Sequence, residues 1–215
     1  METGTNRFAP HVPELPAGWQ NDGNASSLPV LKHLYETFPE IMTVLEFGGG
    51  KWSTAFSLAS GRRVVCMETS QEWADKLAAE HVQYTGDARR LSINVLTPDE
   101  ESAIPAAVWQ GNRGCDLAFI DGGVAENRWY IATALMAIGS CKILVCHDVD
   151  ADGYAWNRIR LPPGWEWIGY ATTPRALPWQ PKTPTLTTPS RHDTRHTYTP
   201  ATCTDRRNDS RADAG

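Results

Sequence analysis

Four short apolar runs, separated by stretches with helical periodicity, constrain this chain more than any other feature. They are TVLEF at 43–47, RRVVCME at 62–68, CDLAFIDGG at 115–123 and KILVCHD at 142–148. Runs this short that are apolar throughout, rather than alternating, belong to strands buried on both faces. Such strands occur in parallel sheets covered by helices on each side. The intervening segments supply the helices. KWSTAFSLA follows the first run, QEWADKLAAEH places Trp73, Leu77 and His81 at i, i+4, i+8, and RWYIATALMAIG stops at Gly139. Ahead of the first strand, Ser26 or Ser27 is placed to cap LPVLKHLYETF, with Pro29 just inside. We also expect a short third strand in VQYTGDA (82–88), a helix in DEESAIPAAVWQ (99–110) and a sixth strand in WEWIGY (165–170). Strands alternating with helices predict an α/β fold, a doubly wound and mostly parallel sheet.

The chain has 215 residues, 41% hydrophobic and 21% charged, which suits one domain with tails. Residues 1–25, rich in Pro, Gly and Asn, read as an extended arm, and residues 26–173 as the domain. Residues 174–215, with six Pro and nine Thr, carry too little apolar surface to offset ordering and are predicted to be disordered. A net charge of −5 creates no field that would draw nucleic acid or an anionic membrane. No run approaches the ~20 apolar residues of a membrane span, and no secretory leader pattern opens the sequence, so a cytoplasmic location is expected. Cys66, Cys115, Cys141, Cys146 and Cys203 form no CxxC pair and read as reduced thiols, most of them in the core.

Ligands of doubly wound sheets bind at the carboxyl ends of the strands. There, Glu46-Phe47-Gly48-Gly49-Gly50 ends the first strand, and its glycines permit a tight turn and close approach of a ligand to the backbone. Glu68 ends the second strand, where a carboxylate can accept the protons of two ribose hydroxyls. Asp87 in TGDA is placed to meet an adenine amine. Together these describe a nucleoside pocket. A dinucleotide fingerprint would need glycine where Ser53 stands, and gives no reason for an acidic residue before the loop. S-adenosylmethionine carries an ammonium and a sulfonium and no phosphate, so its charge suits a carboxylate-rimmed pocket.

The segments VLEFGGGKWSTAFSLA, VVCMETSQEWADKL, DLAFIDGG and ILVCHDVD, in this order, resemble the class I S-adenosylmethionine-dependent methyltransferases. The likeness is to the small-molecule O-methyltransferase branch, with E-F-G-x-G and S-T after the first strand, F-I-D-G at the fourth and H-D at the fifth, and it spans roughly residues 28–170. It implies that Glu46, Gly48, Gly49 and Gly50 line the methionine side of the cofactor, Glu68 holds the ribose, Asp87 lies near the adenine, and Asp121 faces the reacting methyl group. Three departures stand out: Lys51 and Trp52 separate the glycines from Ser53-Thr54 by one residue more than the pattern expects, Gly123-Val124 follow where a histidine is common, and no seventh, antiparallel strand follows WEWIGY.

The segment CHDVDADG (146–153) matches the start of a calcium loop, but a strand runs directly into it and position twelve is Ile159, not glutamate. As a strand end it instead brings His147 and Asp148 beside Asp121. Two mechanisms suit that rim. His147 acts as general base toward an acceptor hydroxyl, or Asp121 and Asp148, with Asp150 as a third candidate, hold Mg²⁺. Trp156, Trp165 and Trp167 are candidates for a substrate wall. The expectation is an O-methyltransferase of a small molecule or glycan. The alternative is an inactive module of the same fold that keeps the nucleoside pocket. The acceptor and the oligomeric state are not legible in the sequence.

Overall fold

The structure, a computed structural model, describes residues 11–85, 88–97, 100, 114–122, 128–139, 141–149 and 152–166. Strands β1 (Thr43–Phe47), β2 (Arg63–Glu68), β3 (Leu91–Val95), β4 (Leu117–Ile120) and β5 (Ile143–Cys146) form one sheet in the order β3-β2-β1-β4-β5. Every pairing is parallel. Helices α1 (Leu28–Thr37), α2 (Ser53–Ala59), α3 (Gln71–Thr85) and α4 (Arg128–Ile138) complete the doubly wound, Rossmann-like arrangement.

The period of two along each strand sorts its side chains between two cores. Val44, Val64, Leu117, Phe119 and Ile143 face α1 and α2, where Leu28, Leu31, Leu34 and Phe56 meet them. Leu45, Phe47, Val65, Met67, Ala118, Ile120 and Leu144 face the opposite way, against Ile131, Leu135 and Met136 of α4. The three central strands are buried on both faces, which is why their sequences are apolar throughout. Each fully buried Leu, Ile, Val or Phe contributes about 1.5–3 kcal/mol.

The third strand lies elsewhere than the sequence suggests. Residues 82–85 of VQYTGDA continue α3, because a formed helix gains a hydrogen bond for each residue it adds. The ladder to β2 is supplied instead by Leu91–Val95. This is the sheet edge, and its residues are only partly buried, so it lacks the apolar signature of the inner strands. Of the predicted 99–110 helix only Glu100 is described. The end of WEWIGY and the 174–215 tail lie outside the described residues.

Asp116 ties the amino ends of three strands together. Its Oδ2 accepts from the amides of Met42 (2.9 Å) and Thr43 (3.0 Å), and its Oδ1 pairs with Lys142 Nζ at 2.9 Å. Before α1 the chain makes two single 3-10 turns, Trp19–Asn21 and Gly23–Ala25, and lays Val12, Leu15 and Trp19 against the α1 core. Ser27 stands at the α1 N-cap but its side chain makes no cap hydrogen bond. No described helix is long and apolar enough to cross a membrane.

Candidate functional site

Sheet winding reverses between β1 and β4, and the loops that leave these two strands press together. Gly48 has φ +80°, and a Cβ added there would lie 2.1 Å from Gly122 Cα. A Cβ on Gly49 would meet Leu77 Cδ1 at 2.4 Å and Cys66 Sγ at 2.6 Å. Phe47 O accepts from the amides of both Asp121 (2.9 Å) and Gly122 (2.6 Å), which fixes the β4 exit on the β1 exit. The three glycine amides are all spent within the protein. Gly48 N–H donates to Met67 O at 2.9 Å, Gly49 N–H to Glu68 Oε1, and Gly50 N–H to Thr54 Oγ1 at 3.1 Å. Trp73 Nε1 donates to Gly49 O at 2.7 Å and closes the outer side of the turn.

Strand parity places Glu46 on the Val44 face, beneath α2. Its carboxyl is fully buried, with Oε1 accepting from Ser53 Oγ and Oε2 from Thr54 Oγ1 at 2.5 Å. Burial pushes its pKa up to about 8 despite these hydroxyls and the nearby Gly50 amide, and the charge of Asp121 adds to the rise. Both carboxyl oxygens of Glu46 are thus taken up by the start of α2, which it anchors beside the glycine turn. The Ser53-Thr54 pair, which the sequence reading uses only as part of the resemblance, holds it through two hydroxyls. Glu68 is buried as well, which raises its pKa, and it accepts from the Gly49 and Thr69 amides.

Asp121 leaves β4, and His147 and Asp148 leave β5, whose ladder continues through His147 N–H to Ile120 O at 3.0 Å. The three side chains converge: their donor atoms all lie within 4.8 Å of one another. His147 Nδ1 is 2.9 Å from Asp121 Oδ1 and 3.1 Å from Asp148 Oδ1, contacts that are close without hydrogen-bond alignment. Burial disfavours the imidazolium, but the two carboxylates outweigh it and raise the pKa of His147 to about 9. His147 in turn, with Arg128, holds the Asp148 carboxyl below its usual range. The proton-abstracting role assigned to His147 requires the neutral ring, whereas at neutral pH the ring is charged. Asp148 keeps φ +53°, a strained backbone for a non-glycine residue at the rim.

Two members of this rim were missed in the sequence. Ser26 Oγ lies 2.7 Å from His147 Nε2. The signal was parity: His147 continues the Ile143 and Val145 face, which looks onto the start of α1. A second tie, Trp52 Nε1 to Asp22 Oδ2 at 2.6 Å, holds the same segment to the glycine loop. Arg128 is the other. It shares a helical stripe with Ile131, Ala132, Leu135 and Met136, all buried, and an arginine on a buried stripe needs partners. Its guanidinium stacks 3.8 Å over Tyr154, with Nη1 3.9 Å from Asp121 Oδ1 and 3.8 Å from Asp148 Oδ2. Trp156 is buried in the α4-side core, and Trp165 packs against that core while staying partly exposed. Asp87, Asp150 and Trp167 lie outside the described residues.

The rim does not suit Mg²⁺. That ion takes oxygen ligands in octahedral array and keeps several waters. Here both Asp148 oxygens and Asp121 Oδ1 already face protein cations, and the third convergent donor is a charged ring.

No family model matches the chain, and no curated protein matches it. Solved structures do. A hypothetical protein of Thermus thermophilus aligns at 20% identity and TM-score 0.44, over 62% of this chain and 77% of that one. A domain from Corynebacterium diphtheriae described as a putative precorrin-6Y C5,15-methyltransferase aligns at 17% and 0.37, over 61% and 76%. A variant of MtNAS in complex with S-adenosylmethionine aligns at 12% and 0.43, over 69% and 58%.

Proposed function

We propose that the chain is an S-adenosylmethionine-dependent methyltransferase acting on an oxygen of a small molecule or glycan. The observation that supports this most is the fate of the glycine amides. A dinucleotide needs such amides for its pyrophosphate, and all three are engaged by Met67, Glu68 and Thr54. A turn that keeps close backbone approach but offers no amide to phosphate suits a phosphate-free nucleoside. Glu68 fits the ribose: a carboxylate has about four acceptor positions, and the Gly49 and Thr69 amides use two. When bound, S-adenosylmethionine supplies a methyl group on a positively charged sulfur.

The chain's own residues then orient the acceptor and move its proton. Asp121 and Asp148 fix the His147 ring through Nδ1, which leaves Nε2 as the atom that meets a hydroxyl. Ser26 Oγ holds that position at 2.7 Å, so an acceptor hydroxyl takes the place of Ser26 there. Nε2 takes the proton of the acceptor hydroxyl only when the ring is neutral. Turnover therefore rises with pH toward about 9. The test is methyl transfer from labelled S-adenosylmethionine to a panel of hydroxylated acceptors, with His147→Gln and Asp121→Asn beside the native protein. Both variants are expected to lose at least about 100-fold in turnover while keeping cofactor affinity. Unchanged turnover in both would remove these residues from the mechanism. Cofactor binding without transfer to any acceptor would favour an inactive binding module.

A further inference from the structure

We infer that Arg128 is a built-in counter-cation that takes the place of a divalent metal between Asp121 and Asp148, and that removing its guanidinium converts the rim into a metal site. The claim concerns the charge of the rim and holds whatever nucleoside the crevice takes.

Three observations carry it. The Arg128 side chain is only 8% exposed, and its Nε and Nη1 find no hydrogen-bond acceptor among the described residues. It is held by the Tyr154 ring and by the two carboxylates, each at 3.8–3.9 Å, closer to ion pairing than to a hydrogen bond. Asp148 divides its oxygens, with Oδ1 toward His147 and Oδ2 toward Arg128, so each already faces a side-chain cation of the protein. A cation bound to Asp121 Oδ1 or Asp148 Oδ2 at about 2.1 Å would lie no farther than about 6 Å from Nη1 of the buried guanidinium, close enough for like charges to repel even at a partly exposed rim. Guanidinium does not lose its proton in proteins, so this block is permanent. Without it, two carboxylates and the His147 ring, which gives up its proton when it ligates, remain within 4.8 Å of one another, a donor set for a transition-metal ion.

Mn²⁺ is the probe, followed by electron paramagnetic resonance of the free ion and by broadening of the His147 ring resonances, on the full chain. The native protein is expected to leave the Mn²⁺ signal and the ring resonances unchanged. Arg128→Gln and Arg128→Met, the latter keeping an apolar contact on Tyr154, are expected to gain about 10- to 100-fold in Mn²⁺ affinity, the range by which outer partners tune metal sites. Adding Asp148→Asn to either removes the gain. Broadening of His147 in the native protein overturns the inference, whether or not the variants fold. So does the absence of any gain in a folded Arg128 variant.

Discussion

At Glu46, burial and charge conflict most directly. The carboxyl lies under α2 among hydroxyls, and its pKa of about 8 means that the folded protein holds a proton the unfolded chain has lost above the usual carboxylate range. A group that binds its proton more tightly when folded stabilises the fold at low pH and loses that contribution as pH rises, here from about 4.5 through about 8. Glu46→Gln removes the titration and keeps the shape. Between pH 6 and pH 9 the native protein should lose about 2–3 kcal/mol of stability relative to the variant. Urea titrations at the two pH values measure this difference. The sequence marked Glu46 as special because it precedes three glycines, but position along the strand, not proximity to the loop, decides where it points. Counting faces from Val44 would have placed it beneath the helix. The same count would have found Ser26 opposite His147. Arg128 is legible too, as a charge on the buried stripe of an apolar helix, although its partners come from other elements.

Among the elements, the turn from β1 to α2 does most to shape the crevice. Gly48 needs both a positive φ and the absence of a Cβ, since Gly122 Cα stands in the way. Gly18 also has positive φ (+74°) but open space around it, which separates the two requirements. Gly18→Ala should cost about 1 kcal/mol from backbone strain alone. Gly48→Ala should cost at least about 2 kcal/mol more and widen the gap between the β1 and β4 loops, as denaturant unfolding of the two variants would reveal. Equal costs would mean that the loops are not held by this approach. The turn was readable because three glycines directly after an apolar run mark a tight turn at a strand end and little else. The inner strands were readable for a related reason, since burial on both faces leaves continuous apolar runs. β3 was not, because an edge strand with half-buried residues looks like many polar segments, and the preceding helix ran through the segment chosen for it.

For the whole molecule, the parallel order β3-β2-β1-β4-β5 brings Glu68, the glycine turn, Asp121 and His147-Asp148 to one edge. The segment before α1 crosses to the same edge, tied by Asp22 to Trp52 and by Ser26 to His147. Its composition suggested an extended arm. A few apolar contacts from Val12, Leu15 and Trp19 and these two polar ties seat its described residues against the domain. The central claim is that this edge takes a phosphate-free nucleoside cofactor, and calorimetric titration with S-adenosylmethionine and, separately, NADH tests it most directly, with Glu68→Ala as the control. The account predicts saturable binding of S-adenosylmethionine, loss of that binding in the variant and no binding of NADH. Binding of NADH, or of neither compound, would contradict it.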